Sequence, residues 1–192
     1  MGWQLAALCL LALFYAVYLG KMLSQKRKGI QTDQIGRGKK SAKLLLTEHL
    51  MKLATYGVLA VQLVSIFWGT TVFTPAIRMV GLGITLVGDL LFGASVMTMR
   101  DNWRAGIPEE KQTELVTGGI YRFSRNPAFL AFDLTYIGSL MAFFNPLLAV
   151  FSLFAAVMLH LQILQEEDFM ESRFGSAYLE YKQRAGRYWG RR

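Results

Sequence analysis

Five runs of apolar residues, each close to the roughly 20 residues that cross a hydrocarbon core, constrain this chain more than any other feature. They cover about 3–19, 50–68, 77–99, 128–144 and 147–164. Inside lipid every backbone N–H and C=O must be paired within the segment, so runs of this length read as helices. Composition agrees: 53% of the residues are hydrophobic and only 18% are charged, where a soluble domain carries about a quarter. The expected fold is all-α: a polytopic membrane helix bundle of about five transmembrane helices with a cytoplasmic C-terminal helix, forming a single membrane domain over 1–192. The first run is not read as a signal peptide. It lacks a basic leader and a small-residue cleavage site, and its lysine, Lys21, follows the apolar stretch.

Basic residues set the expected orientation. Of the 21 lysines and arginines, 19 fall in 21–43, in 100–125 or after Leu164, which five alternating spans place on one side; only Lys52 and Arg78 remain. The positive-inside rule makes that side cytoplasmic and puts the N-terminus outside, with cytoplasmic loops 20–49 and 100–127 and a cytoplasmic tail 165–192. We expect an integral protein of a bacterial or archaeal cell (inner) membrane. The net charge of +8 is accounted for by this topology and by attraction to anionic headgroups, and no nucleic-acid partner is expected. The single cysteine, Cys9, excludes an intramolecular disulfide, and no Cys/His metal cluster is present.

Between the spans, 21–43 is a basic, glycine-containing linker and reads as a solvated or lipid-facing loop, leaving the first span peripheral to the other four. Gly81, Gly83, Gly88 and Gly93 in the third span resemble a dinucleotide fingerprint but lack its spacing and its strand. They read as close helix packing. Trp103 reads as an interfacial anchor, Gly106 to Pro108 as a turn, and 109–115 as a short helix. Asn145-Pro146 is a tight outer turn, making the fourth and fifth spans an antiparallel hairpin. The tail interleaves Phe169, Phe174, Tyr178, Tyr181 and Trp189 with charges and reads as helix against the membrane face, broken near Gly175.

Several polar residues stand where chemistry is expected. Arg125-Asn126-Pro127 opens the fourth span; Pro suits a first helical turn, and Asn126 is expected as its cap. Hairpin geometry sets Glu166 and Glu167, which follow the fifth span, at the depth of 125–126. There they can face a cation or ammonium, or pair with Arg122 or Arg125. Asp89, Asp133 and His160 are ionisable groups inside spans, which cost about 2.5–3.5 kcal/mol each on insertion scales and are functional candidates. Asp133 and His160 share nearly one depth, which predicts a hydrogen bond between them.

Together these residues resemble the isoprenylcysteine carboxyl methyltransferase and phospholipid methyltransferase superfamily of integral membrane enzymes. The resemblance covers about 100–189: Asp-Asn-Trp-Arg at 101–104, Leu-Val-Thr-Gly-Gly-Ile-Tyr-Arg at 115–122, Arg-Asn-Pro-Ala-Phe at 125–129, Glu-Glu at 166–167 and Phe-Gly-Ser-Ala-Tyr-Leu-Glu-Tyr at 174–181, then Arg184 and Arg187. It implies an S-adenosylmethionine-dependent methyltransferase acting on a lipophilic acceptor at the cytoplasmic face, either an isoprenylcysteine-type carboxylate or a phospholipid amine, with membrane lipids as surroundings. Leu115, Val116, Tyr121, Asn126, Phe129, Glu166 and Glu167 would bind the cofactor; Arg184, Arg187 and Asp133 would meet the acceptor; Arg187 and Glu167 would be catalytic. No metal is implied. Two positions depart from the pattern: Asn126 stands where His is usual and Phe129 where Tyr is usual. The usual Pro near the end is replaced by Tyr188-Trp189-Gly190.

A soluble Rossmann-type methyltransferase is excluded, because no alternating strand and helix pattern exists. Two other readings remain open: a non-catalytic membrane protein that keeps the fold, and a membrane oxidoreductase of related architecture.

Overall fold

A computed structural model describes residues 1–107 and 114–190. Its helices are α1 (Gly2–Arg27), α2 (Ala42–Trp68), α3 (Pro75–Met99), α4 (Pro127–Ala142), α5 (Pro146–Phe174) and α6 (Ser176–Arg184), with short 3-10 turns at Arg100–Asn102 and Gly119–Arg122. Among the described residues there is no strand, only two isolated bridges, Asp33 to Ala105 and Ser124 to Gly186. Four helices are long and apolar enough to cross a membrane, and α4 is a shorter apolar helix. Its 16 residues reach only about 24 Å at 1.5 Å per residue. The expected fourth span, 128–144, therefore ends early: Phe143 leaves helical geometry, and Asn145 restarts the chain by accepting from Leu148 N at 2.9 Å.

Small residues decide how α3 meets α4. A Cβ on Gly81 would lie 2.6 Å from Gly138 O, and one on Gly88 would lie 3.0 Å from Ala131 O. Both glycines let the backbones approach, as expected of small residues in membrane helices. Gly83 and Gly93 have open space beside them, so the packing role belongs to half of the four glycines. α5 runs chiefly along α2 and touches α4 less; the hairpin at Asn145-Pro146 is splayed. The first span is peripheral, as expected: only Ala7, Phe14 and Gln25 of α1 are buried.

The basic linker departs from its expected solvated state. α1 continues to Arg27 and α2 begins at Ala42, where Ser41 Oγ caps Leu44 N at 3.3 Å. The chain between them folds inward. Gln25 donates to Trp103 O at 3.0 Å and accepts from Thr32 Oγ1 at 2.6 Å, while Gln34 N donates to Ala105 O at 2.8 Å. Lys40 Nζ donates to both oxygens of Glu48, at 2.7 and 2.9 Å; their side chains are 4% and 0% exposed. Trp103 is likewise buried, edge-on to Tyr18 and Phe92, and is no interfacial anchor. Asp101 ties the same loop to α1 through Lys28 at 2.8 Å, and that hydrogen bond holds its carboxyl below the usual range. The linker, the 100–107 loop and the tail thus gather on one face of the bundle.

A turn is expected over Gly106 to Pro108; Gly106 has a φ of 85°, and Pro108 lies outside the described residues. Of the short helix expected at 109–115, residues 109–113 lie outside the described residues, and Glu114 and Leu115 are not helical. α5 does not stop at the acidic pair. It runs on to Phe174 and ends at Gly175, whose φ of 53° suits glycine.

Candidate functional site

The site is built where α5 leaves its apolar run, at the start of α4. Pro127 occupies the first turn of α4, as expected, but Asn126 does not cap the helix with its side chain. Its Nδ2 instead donates to Glu167 Oε1 at 3.1 Å and to Arg187 O at 3.2 Å. Arg125 Nε and Nη2 donate to the same Oε1 at 3.1 and 2.9 Å, and Arg187 Nε and Nη2 donate to Oε2 at 3.1 and 3.0 Å. Both oxygens of Glu167 are therefore taken by the protein. The Arg125 and Glu167 side chains are 5% and 4% exposed, and the hydrogen bond to Glu167 raises the Arg187 guanidinium above its ordinary value.

The chain after α6 closes this cluster. Arg125 Nη1 donates to Ala185 O at 2.6 Å, and Arg125 N donates to Gly186 O at 2.9 Å. Gly186 N then donates to Gly190 O at 2.7 Å. A side chain at 186 would strike Trp189 O at 2.5 Å, so the tight turn needs glycine there. Trp189 stacks on Phe123 at 5.9 Å. This turn aims Arg187 at Glu167 and Tyr188 at His160 Nδ1. Asp133 and His160 consequently do not form the expected hydrogen bond: His160 pairs with the Tyr188 hydroxyl, and Asp133 Oδ1 is buried without a partner. Burial and the charge of Asp133 raise the Tyr188 phenol.

Glu166 points elsewhere. One oxygen accepts from Gln162 Nε2 at 3.2 Å, and the residue lines a cavity of about 100 Å³ with Tyr18, Phe92, Trp103, Phe129 and Phe132. The equal-depth expectation is therefore met by Glu167, which reaches Arg125 and Asn126, and not by Glu166. Leu115 and Val116 pack on the buried Tyr121, Tyr178 and Tyr181. Leu115, Tyr181 and Arg184 also line an open cleft of about 580 Å³. Tyr121 is buried beside Tyr178 and Tyr181. Its carbonyl accepts from the Tyr181 hydroxyl at 2.7 Å, and burial, then Tyr181, then the charge of Glu166 raise its phenol. Burial and Glu167 push Tyr178 up to about 12. Arg184 pairs with Glu180 on the exposed side of α6 at 2.9 Å, away from Glu167.

The structure thus divides the expected site into three parts. Leu115, Val116, Tyr121 and Arg184 belong to the cleft side, and Asn126, Glu167 and Arg187 to the ion cluster. Phe129 and Glu166 belong to the aromatic cavity, and Asp133 lies deeper. Sequence reading missed Arg125 as the principal partner of Glu167, although it named the pairing as an alternative. It also missed Tyr188, which carried no signal beyond its place in a departure from the family pattern.

Comparison with known proteins fits this arrangement. Residues 79–172 match the isoprenylcysteine carboxyl methyltransferase (ICMT) family model. The protein-S-isoprenylcysteine O-methyltransferase of Tribolium castaneum is 27% identical over 68% of this chain and 50% of that protein. Its namesake in Homo sapiens is 26% identical over 95% of this chain and 62% of that protein. Protein-S-isoprenylcysteine O-methyltransferase A of Arabidopsis thaliana is 33% identical over 53% of each. The chain spans about half the length of the first of these relatives. With its apolar helices, its order of motifs and the matched segment from α3 through most of α5, the chain is an integral membrane protein similar to the isoprenylcysteine carboxyl methyltransferase superfamily.

Proposed function

We propose that this protein transfers a methyl group from S-adenosylmethionine to a lipophilic acceptor at the cytoplasmic face of a bacterial or archaeal cell membrane. The observation that carries the reading is Glu166: a carboxylate with one hydrogen-bond partner among the described residues, in a cavity lined by five aromatic rings together with Arg104 and aliphatic side chains. A carboxylate among π-faces suits a cationic ligand, and S-adenosylmethionine is cationic at its sulfonium and ammonium. The cofactor supplies an electrophilic methyl carbon. The chain's own residues bind, orient and exclude water. Glu166 and Phe129 attract and enclose the cationic end. The 580 Å³ cleft beside Leu115 and Tyr181 has the volume of a small-molecule site, about 300–1,000 Å³. Tyr121 packs with Tyr181, which lines the cleft, and its carbonyl accepts from the Tyr181 hydroxyl. Asn126 and Arg187 act through Glu167, whose placement fixes the turn of α5 that carries Glu166.

The relatives' names suggest an S-isoprenylcysteine carboxylate as the first acceptor to test. A phospholipid amine is the second, because Asp133 keeps an unpaired buried oxygen able to take a proton. Incubation with radiolabelled S-adenosylmethionine and each acceptor separates them. Charge-assisted hydrogen bonds contribute about 1.5–3 kcal/mol, so Glu166→Gln should weaken cofactor binding roughly ten- to hundredfold in isothermal titration. Unchanged affinity in that variant would remove Glu166 from the site.

The orientation rests on the basic face, where the linker, the 100–107 loop and the tail meet. A cysteine introduced at Gln34 should resist impermeant maleimide added to intact cells and react after lysis. Labelling from outside would reverse the topology.

A further inference from the structure

Asp89 lies in the middle of α3, 3% exposed, and neither of its carboxylate oxygens has a hydrogen-bond partner among the described residues. It faces a cavity of about 20 Å³ that it shares with Gln62, Thr85, Thr135, Tyr136 and Ser139. That volume takes one water-sized occupant, since roughly 10–15 Å³ is the minimum for a water.

Two of the hydroxyls around this space, those of Thr85 and Thr135, are already committed as donors. Thr85 Oγ1 donates to Gly81 O at 3.1 Å, and Thr135 Oγ1 donates to Phe132 O at 2.8 Å. Each spends its only proton on its own helix and keeps oxygen lone pairs. Ser139 Oγ accepts from Gln62 Nε2 at 3.0 Å. The cavity is thus rich in acceptors. No lysine, arginine or histidine lines it; Tyr15 and Tyr136 are its other titratable groups. Arg78, toward the outer end of α3, donates to Ala142 O and lies over the Trp3 and Phe143 rings.

An isolated buried carboxylate costs far more than a paired one, so it must gain a cation or a proton. Oxygen-only donors suit hard cations. A divalent ion would leave an uncompensated positive charge within the bilayer, whereas a monovalent ion neutralises Asp89. We infer that the space beside Asp89, lined by α1, α2, α3 and α4, is a binding site for one sodium-sized monovalent cation, held by Asp89 with the hydroxyls of Thr85 and Thr135. The site uses no residue that the transferase reading assigns to the cofactor, although Phe132 of α4 lines both cavities.

The test uses the full chain in detergent at a pH near 8, comparing sodium, potassium and choline chlorides at equal ionic strength. A ligand present at about ten times its dissociation constant should raise Tm by roughly 3–6 °C for a chain of this size. Sodium should do so over choline, saturably, and the protein should retain radioactive sodium in a scintillation proximity assay. Asp89→Asn should abolish both effects. Thr135→Val, which keeps the carboxylate and the side-chain shape, should weaken sodium retention even if Asp89→Asn does not fold. Equal Tm in sodium and choline with no retained sodium would overturn the site and leave a protonated Asp89. An equal response to potassium would overturn the assignment to sodium.

Discussion

Glu167→Gln is expected to lower the melting temperature by roughly 6–20 °C, the equivalent of about 3–5 kcal/mol for breaking one side of a buried ion pair. The substitution keeps the side-chain size and one acceptor oxygen but leaves the Arg125 guanidinium, 5% exposed, without a counter-charge. Arg187 suffers less, because it is 37% exposed and solvent screens it. Arg125 also holds the carbonyls of Lys182 and Ala185, so the tail should loosen with it. Thermal unfolding in detergent, with Glu180→Gln as the control, decides the matter. Glu180 makes a surface pair with Arg184 and is 66% exposed, so its loss should change Tm by no more than about 1 kcal/mol would. A Glu167→Gln variant as stable as that control would mean the cluster is not structural.

Glu48→Gln should have an effect of similar size through a different part of the fold. Glu48 is fully buried; it accepts from Lys40 Nζ and, at 2.7 Å, from Gly36 N. Removing its charge strands an ammonium that is itself 4% exposed, with a cost again of about 3–5 kcal/mol. The linker 28–41 holds to α2 chiefly here, and it pairs with Ala105 through Thr32 and Gln34. The variant should therefore be cut by trypsin within the linker many times faster than the parent protein. Equal cleavage rates would show that the linker is held by something other than this pair.

Hydrophobic run length exposed the helices in the sequence, because apolar stretches of bilayer length have few other solutions. The turn at Asn145-Pro146 and the break at Gly175 were legible from local backbone chemistry. Depth counting along the hairpin brought 166–167 to 125–126 within one residue. It could not say which carboxylate faced which way, since neighbouring residues on a helix point about 100° apart. Glu167 turned to the arginines and Glu166 to the aromatic cavity. Asp133 and His160 escaped the same count because α5 leans on α2 and the tail brings Tyr188 to the histidine. The buried linker was illegible for another reason. Basic, glycine-containing composition describes a solvated loop equally well, and the pairings of Lys40 with Glu48 and of Thr32 and Gln34 with the distant Ala105 distinguish them.

The tail turn has a consequence for biosynthesis. Glu167 is made 42 residues after Arg125 and 20 residues before Arg187. During synthesis, then, Arg125 and Asn126 wait at the mouth of α4 with no carboxylate, and Glu167 later waits for its second guanidinium. The cluster is assembled in temporal order, and its last component arrives only when the Gly186 turn has been released to fold back on Ser124 and Arg125. A ribosome stalled before that turn would leave a nascent chain with its helices inserted and its site open.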